Sequence, residues 1–143
     1  MQTENNCHDI RTSIFNATSR TFEDMTFSKV EGLKFYWGCV TIKSPCNGKL
    51  SISMPDHFIK EISQNMYSLE DTKVNEKVML DVIAELANTI AGQFMGLHLG
   101  EGQICELGLP ETGISDSVVY DEGMKLYPFK VDNGFVLIGT IIK

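Results

Sequence analysis

Val78-Met79-Leu80-Asp81-Val82-Ile83-Ala84-Glu85-Leu86-Ala87-Asn88-Thr89-Ile90-Ala91-Gly92-Gln93-Phe94 is the stretch on which the reading of this chain turns. At about 100° per residue, Met79, Val82, Ile83, Leu86, Ile90, Phe94 and Leu97 fall in one arc about 120° wide, the pattern of a helix with one face against a core. Asn75 stands where its side chain can cap that helix, which is predicted over residues 76–97. Asp81, Glu85, Asn88 and Gly92 follow the spacing i, i+4, i+7, i+11 and form a narrow stripe almost opposite the apolar arc. They are expected to face outward together.

Upstream, Ile10, Ile14, Ala17, Phe22 and Met25 line one side of a helix from about residue 8 to about residue 27, and that apolar side needs a partner layer. Leu33 to Ile42 is rich in aromatic and β-branched residues, and Leu50, Ile52 and Met54 alternate with Ser51 and Ser53, so two half-buried strands are predicted. Ser44-Pro45-Cys46-Asn47-Gly48 between them reads as a hairpin turn. Pro55 suits the first turn of a short helix carrying Phe58, Ile59, Ile62 and Met66, and Ser68 to Asn75 is a polar connection. Downstream, strands are predicted around 103–107, 117–121, 125–131 and 135–142, with Asp132-Asn133-Gly134 as the last hairpin turn.

The fold class that results is α+β, long helices packed on a largely antiparallel sheet. Helix followed by hairpin occurs early and again late. Setting Ser13-Ile14-Phe15-Asn16 against Glu85-Leu86-Ala87-Asn88 also brings Phe22 onto Phe94, which suggests a degenerate internal α-β-β duplication. The asparagines coincide in that alignment; the glutamate does not.

The 143 residues, 43% of them hydrophobic and 22% charged, fit a single domain spanning 1–143 rather than a disordered or fibrous chain. Twelve Lys and Arg against 19 Asp and Glu give a net charge of -7, and without a basic cluster such a surface repels nucleic acid and anionic lipid. The polar start Met1-Gln2-Thr3-Glu4-Asn5-Asn6 is no signal peptide, and no apolar run approaches the roughly 20 residues of a spanning helix. A cytoplasmic address is expected. Cys7, Cys39, Cys46 and Cys105 lack metal-ligand spacing, so with His8, His57 and His98 dispersed, no metal site is expected and the thiols are read as reduced and structural. Cys39 and Cys46, flanking the first hairpin turn, have the opportunity to face each other.

No nucleophile elbow, P-loop, dinucleotide fingerprint or HExxH pair is present. Gly96, Gly100 and Gly102 follow a helix instead of linking a strand to a helix N-terminus, so they read as a helix stop and turn, not a phosphate cradle. Two readings of the outward stripe stay open on the residues alone. It solvates the helix, or it meets another molecule. Asn costs a few tenths of a kcal/mol in a helix interior and Gly about 1 kcal/mol relative to Ala, so a helix that carries both on one stripe invites the second reading. A missing Cβ at Gly92 admits close approach of a backbone, and Glu85 and Asn88 at i, i+3 can act on one object.

Asp81-x3-Glu85-x2-Asn88, followed by Pro110, resembles the signature of the CheC/CheX/FliY family of chemotaxis phosphatases. The spacer between Asn88 and Pro110, residues 89–109, is one residue shorter than the family pattern. The early helix with Phe15, Ala17, Thr18, Phe22 and Met25, the hairpin after it, and Gly108-Leu109-Pro110 extend the resemblance over most of the chain. The single Glu-x2-Asn copy, with Ser13 where a first glutamate would stand, is most like the CheX branch.

The resemblance implies hydrolysis of an aspartyl phosphate on a CheY-like response regulator. The phosphorylated receiver domain would supply Mg²⁺ and most phosphate ligands, and this chain would need no cofactor of its own. Asn88 would orient the attacking water and Glu85 would anchor the receiver through its active-site lysine. Asp81, Gly92 and Pro110 would belong to the partner-binding surface. A homodimer is implied as well, with the late hairpin from Lys125 to Lys143 able to pair across a two-fold axis. The same stripe also suits a non-catalytic receiver-binding or adaptor module, or a structural subunit of a flagellar assembly.

Overall fold

The computed structural model describes residues 9–100 and 102–143, so the expectations placed on residues 1–8, including Cys7, His8, the polar N-terminus and a helix start at residue 8, lie outside the described residues. Two compact units divide the chain, Met1–Gly32 and Leu33–Lys143. Among its described residues the first holds the helix α1 (Ile10–Thr26). Asp9 caps it by accepting from the Arg11 N–H at 3.2 Å, and Phe27 ends it in the left-handed region at φ 58°. None of its residues is buried.

The second unit runs β1 (Phe35–Ser44), β2 (Gly48–Pro55), α2 (Asp56–Tyr67), a 3₁₀ turn (Asp71–Lys73), α3 (Glu76–Leu99), β3 (Glu106–Leu107), β4 (Glu111–Ser115), β5 (Lys125–Val131) and β6 (Gly134–Ile142). Every strand pairing is antiparallel, in the order β3-β1-β2-β6-β5, with β4 also on β1. The α+β class holds.

Period-two alternation sends Tyr36, Val40, Leu50, Ile52, Met54 and Val136 to one core, where they meet Phe58 and Ile59 of α2 and Val82, Ile83, Ala87 and Ala91 of α3. Each fully buried aliphatic side chain there contributes about 1.5–3 kcal/mol, and this burial fixes α3 on the sheet. The buried residues of α3 differ in part from the predicted arc. Val82 and Ile83 are buried as expected, but the ridge continues through Ala87, Ala91 and Met95, while Leu97 is 85% exposed. Close approach explains the difference. A Cβ added at Gly38 of β1 would stand 3.0 Å from the Ile83 carbonyl oxygen and 3.1 Å from the Ala87 Cβ. Small side chains let the helix sit directly on β1, and the helix turns its alanines inward.

The strand predicted at 117–121 is not formed. Val118 and Val119 lie half-buried in a loop, and the edge of β1 is taken instead by Glu111–Ser115, with Gly113 against the Trp37 ring. The strand expected at 103–107 is confined to Glu106–Leu107, and Pro55 ends β2 and precedes α2 as its N-cap. The Asn75 cap is present: its Oδ1 accepts from the Val78 N–H at 2.9 Å. Gly100, at φ 85°, closes α3 by donating to the Gly96 carbonyl, although Gly96 itself is within the helix.

Cys39 pairs across the strands with Ser51, not with Cys46, so those two thiols do not face each other. Cys39, Cys46 and Cys105 are free, and burial pushes the Cys39 thiol up. By length and mean hydropathy alone α3 would pass for a membrane-crossing helix, but Asp81 and Glu85 interrupt its apolar sequence. Its buried ridge of Val82, Ile83, Ala87, Ala91 and Met95 belongs to the core, and its exposed side carries Asp81 and Glu85.

Candidate functional site

Asp81, Glu85, Asn88 and Gly92 are all exposed on α3, on the side away from the ridge of Ile83, Ala87 and Ala91. The periodicity that buries one face of a helix projects the other, and the rigid contact at Gly38 leaves the projecting residues with a firm base. Glu85 and Asn88 are therefore side by side on an ordered element.

Gly92 and Gly96 have nothing within 4 Å of where a Cβ would stand. Together they cut a shallow depression of about 340 Å³ into the helix surface beside Asn88, lined also by Thr89, Gln93 and Leu97. The carboxamide of Asn88 thus stands at the rim of a notch wide enough for another chain to approach. Gly96 belongs to this notch although it reads as a turn glycine in sequence. The signal was available, since Asn88, Gly92 and Gly96 recur every four residues.

Tyr67 is a second residue that periodicity did not single out. It closes α2 one turn after Ser63, and its hydroxyl donates to Glu85 Oε2 at 3.3 Å. The Glu85 charge holds the Tyr67 hydroxyl above its ordinary pKa, helped in turn by burial, by the hydrogen bond itself and by Asp81. The tyrosine remains a neutral donor across the physiological range. Nothing in the linear order announces a pair eighteen residues apart on different helices.

Pro110 is not on the stripe. It is half-buried in the link between β3 and β4, both of which flank β1 at the sheet edge beneath α3. On α1, the aligned positions Ser13 and Asn16 line a separate depression with Thr12, Ala17 and Arg20. There the acid is missing, and Arg20 stands where the alignment sets Gly92.

Chemically, the α3 surface offers a fixed carboxylate with free lone pairs, a carboxamide that donates and accepts, and a gap beside it. Among the described residues, no group of three or more His, Cys, Asp or Glu is placed to hold a metal ion. Glu85 and Asn88 are groups that can hold a water or a charged group of another molecule.

A profile of the family described as chemotaxis phosphatase CheX matches residues 36–124. No curated protein sequence matches the chain. Among solved structures, the chain is similar to the chemotaxis protein CheX from Vibrio vulnificus, with TM-score 0.63 and 20% identity over 90% of this chain and 96% of that one. It is similar also to CheX in the CheX-CheY-BeF3-Mg complex from Borrelia burgdorferi, with TM-score 0.60 and 18% identity over 94% and 98% of the two chains. A chemotactic CheC-like protein from Shewanella oneidensis matches with TM-score 0.62 and 20% identity, over 92% and 94%.

Proposed function

The chain belongs to the CheX family of chemotaxis phosphatases, and on that premise we propose that it hydrolyses the aspartyl phosphate of a CheY-like receiver domain by inserting Asn88 beside the phosphate. The observation that carries this reading is the joint exposure of Glu85 and Asn88 on one anchored helix face, next to an open notch. The solved complex of the Borrelia protein with CheY supports a receiver as the partner.

Asn88 orients a water for in-line attack, accepting from it through Oδ1 or donating through Nδ2, with no proton of its own to lose. Glu85 pairs with a lysine ammonium of the receiver and sets the angle at which α3 enters. The notch at Gly92 and Gly96 receives the partner's backbone, and Asp81 and Pro110 extend the contact surface. The receiver brings the Mg²⁺ and most phosphate ligands. A group delivered in trans to such a site is worth several powers of ten in phosphoryl transfer, because geometry and charge, not covalent chemistry, limit the reaction.

The proposed setting is cytoplasmic, and the proposed assembly is a homodimer. Both sides of β6 are occupied, by β2 and β5, so the pairing edge of the late hairpin is β5. The activity test is loss of label from a phosphorylated CheY-type receiver with and without this protein. A catalytic amount is expected to accelerate the loss at least about a hundredfold. An unchanged intrinsic rate in the presence of bound protein would instead assign an adaptor.

A further inference from the structure

We infer that Tyr67 is a positioning residue for the receiver, acting through Glu85: its hydroxyl holds one carboxylate oxygen so that the remaining lone pairs are aimed at the incoming ammonium. The inference rests on the function proposed above and adds to it a residue outside the α3 stripe.

The geometry begins in the core. Ile59 and Ser63 are buried on α2, and Ser63 Oγ donates to the Ile59 carbonyl at 2.7 Å. Tyr67 continues this i, i+4, i+8 ridge to the point where α2 leaves the core. Ser68, at φ 52° in the left-handed region, ends the helix immediately afterwards, with its N–H donating to the Gln64 carbonyl. The ring is therefore carried by an anchored helix end and not by a free loop. From there the hydroxyl reaches Glu85 Oε2 at 3.3 Å, and Tyr67 as a whole remains 47% exposed.

A glutamate on an open helix face has three rotatable bonds, and ordering it when a partner arrives costs free energy. A donor already bound to one oxygen removes part of that cost. It does not use up the site, because a carboxylate accepts at about four lone-pair positions. Tyr67 is neutral and does not cancel the charge that attracts the lysine. The Asp81 carboxylate one turn earlier keeps the local field negative.

The test is a double-mutant cycle on steady-state dephosphorylation of a receiver that the wild-type protein turns over. Tyr67→Phe keeps the ring and removes only the hydroxyl. It is expected to raise KM by about threefold to tenfold, the range of one hydrogen bond, with kcat changed less than about twofold. In a Glu85→Ala background the same substitution is expected to change kcat/KM no further, since the hydroxyl has lost the group through which it acts. Unchanged KM in Tyr67→Phe, or an equal loss in both backgrounds, would overturn the role of Tyr67 while leaving the phosphatase reading intact. Absence of any turnover by the wild-type protein would overturn the phosphatase reading and this inference with it. A thermal midpoint matching the wild type is the control for folding.

Discussion

Asn88 carries no titratable proton, so its carboxamide donates and accepts in the same state wherever the helix is folded. Its value lies in where it is held, and that is decided on the opposite face of α3. There a Cβ at Gly38 would crowd the Ile83 carbonyl oxygen at 3.0 Å and the Ala87 Cβ at 3.1 Å. Gly38→Ala is expected to destabilise the protein by about 1–3 kcal/mol, because backbone and a short side chain cannot swing away from the added methyl. Urea unfolding checks this, and an unchanged midpoint would mean that α3 is free to shift on β1. The role of Gly38 was not legible in the sequence, where it reads as one residue in a β-rich run. Only the helix crossing above it makes the missing Cβ necessary. Tyr67 was hidden for the same reason, since its partner Glu85 is a tertiary neighbour.

The elements were far more legible than their neighbours in space. For α3 the Asn75 cap and the stripe of Asp81, Glu85, Asn88 and Gly92 follow from local chemistry and the 3.6-residue period, and both are present in the structure. The inward face was less legible, because hydrophobic bulk suggested Leu97 whereas close packing selected Ala87 and Ala91. Likewise the β-branched pair Val118-Val119 suggested a strand, but the edge of β1 pairs with Glu111–Ser115, where Gly113 accommodates Trp37. At the scale of this helix, Gly92 has a cost and a use that can be separated. Gly92→Ala places a methyl in open space and is expected to raise stability by about 0.5–1 kcal/mol through better helix propensity. The same methyl partly fills the notch beside Asn88, so receiver affinity is expected to fall. A variant both more stable and equally tight in binding would show that the notch does not receive the partner.

At the scale of the whole molecule, the α+β class and the antiparallel sheet were readable from period and turn residues, because each hairpin carries its own signal. The joining of β6 to β2 was not, since that pairing links strands distant in sequence. The acidic surface, net charge -7, suits recognition through carboxylates of a basic group on another protein. The proposed mechanism requires that docking and chemistry be separable, with Glu85 serving the first and Asn88 the second. Single-turnover dephosphorylation by Asn88→Ala at saturating protein, alongside its Kd for the same receiver, tests this most directly. The expected result is a rate reduced to the receiver's intrinsic rate with Kd within about twofold of wild type. A variant that binds and still accelerates the reaction like the wild type would contradict the account.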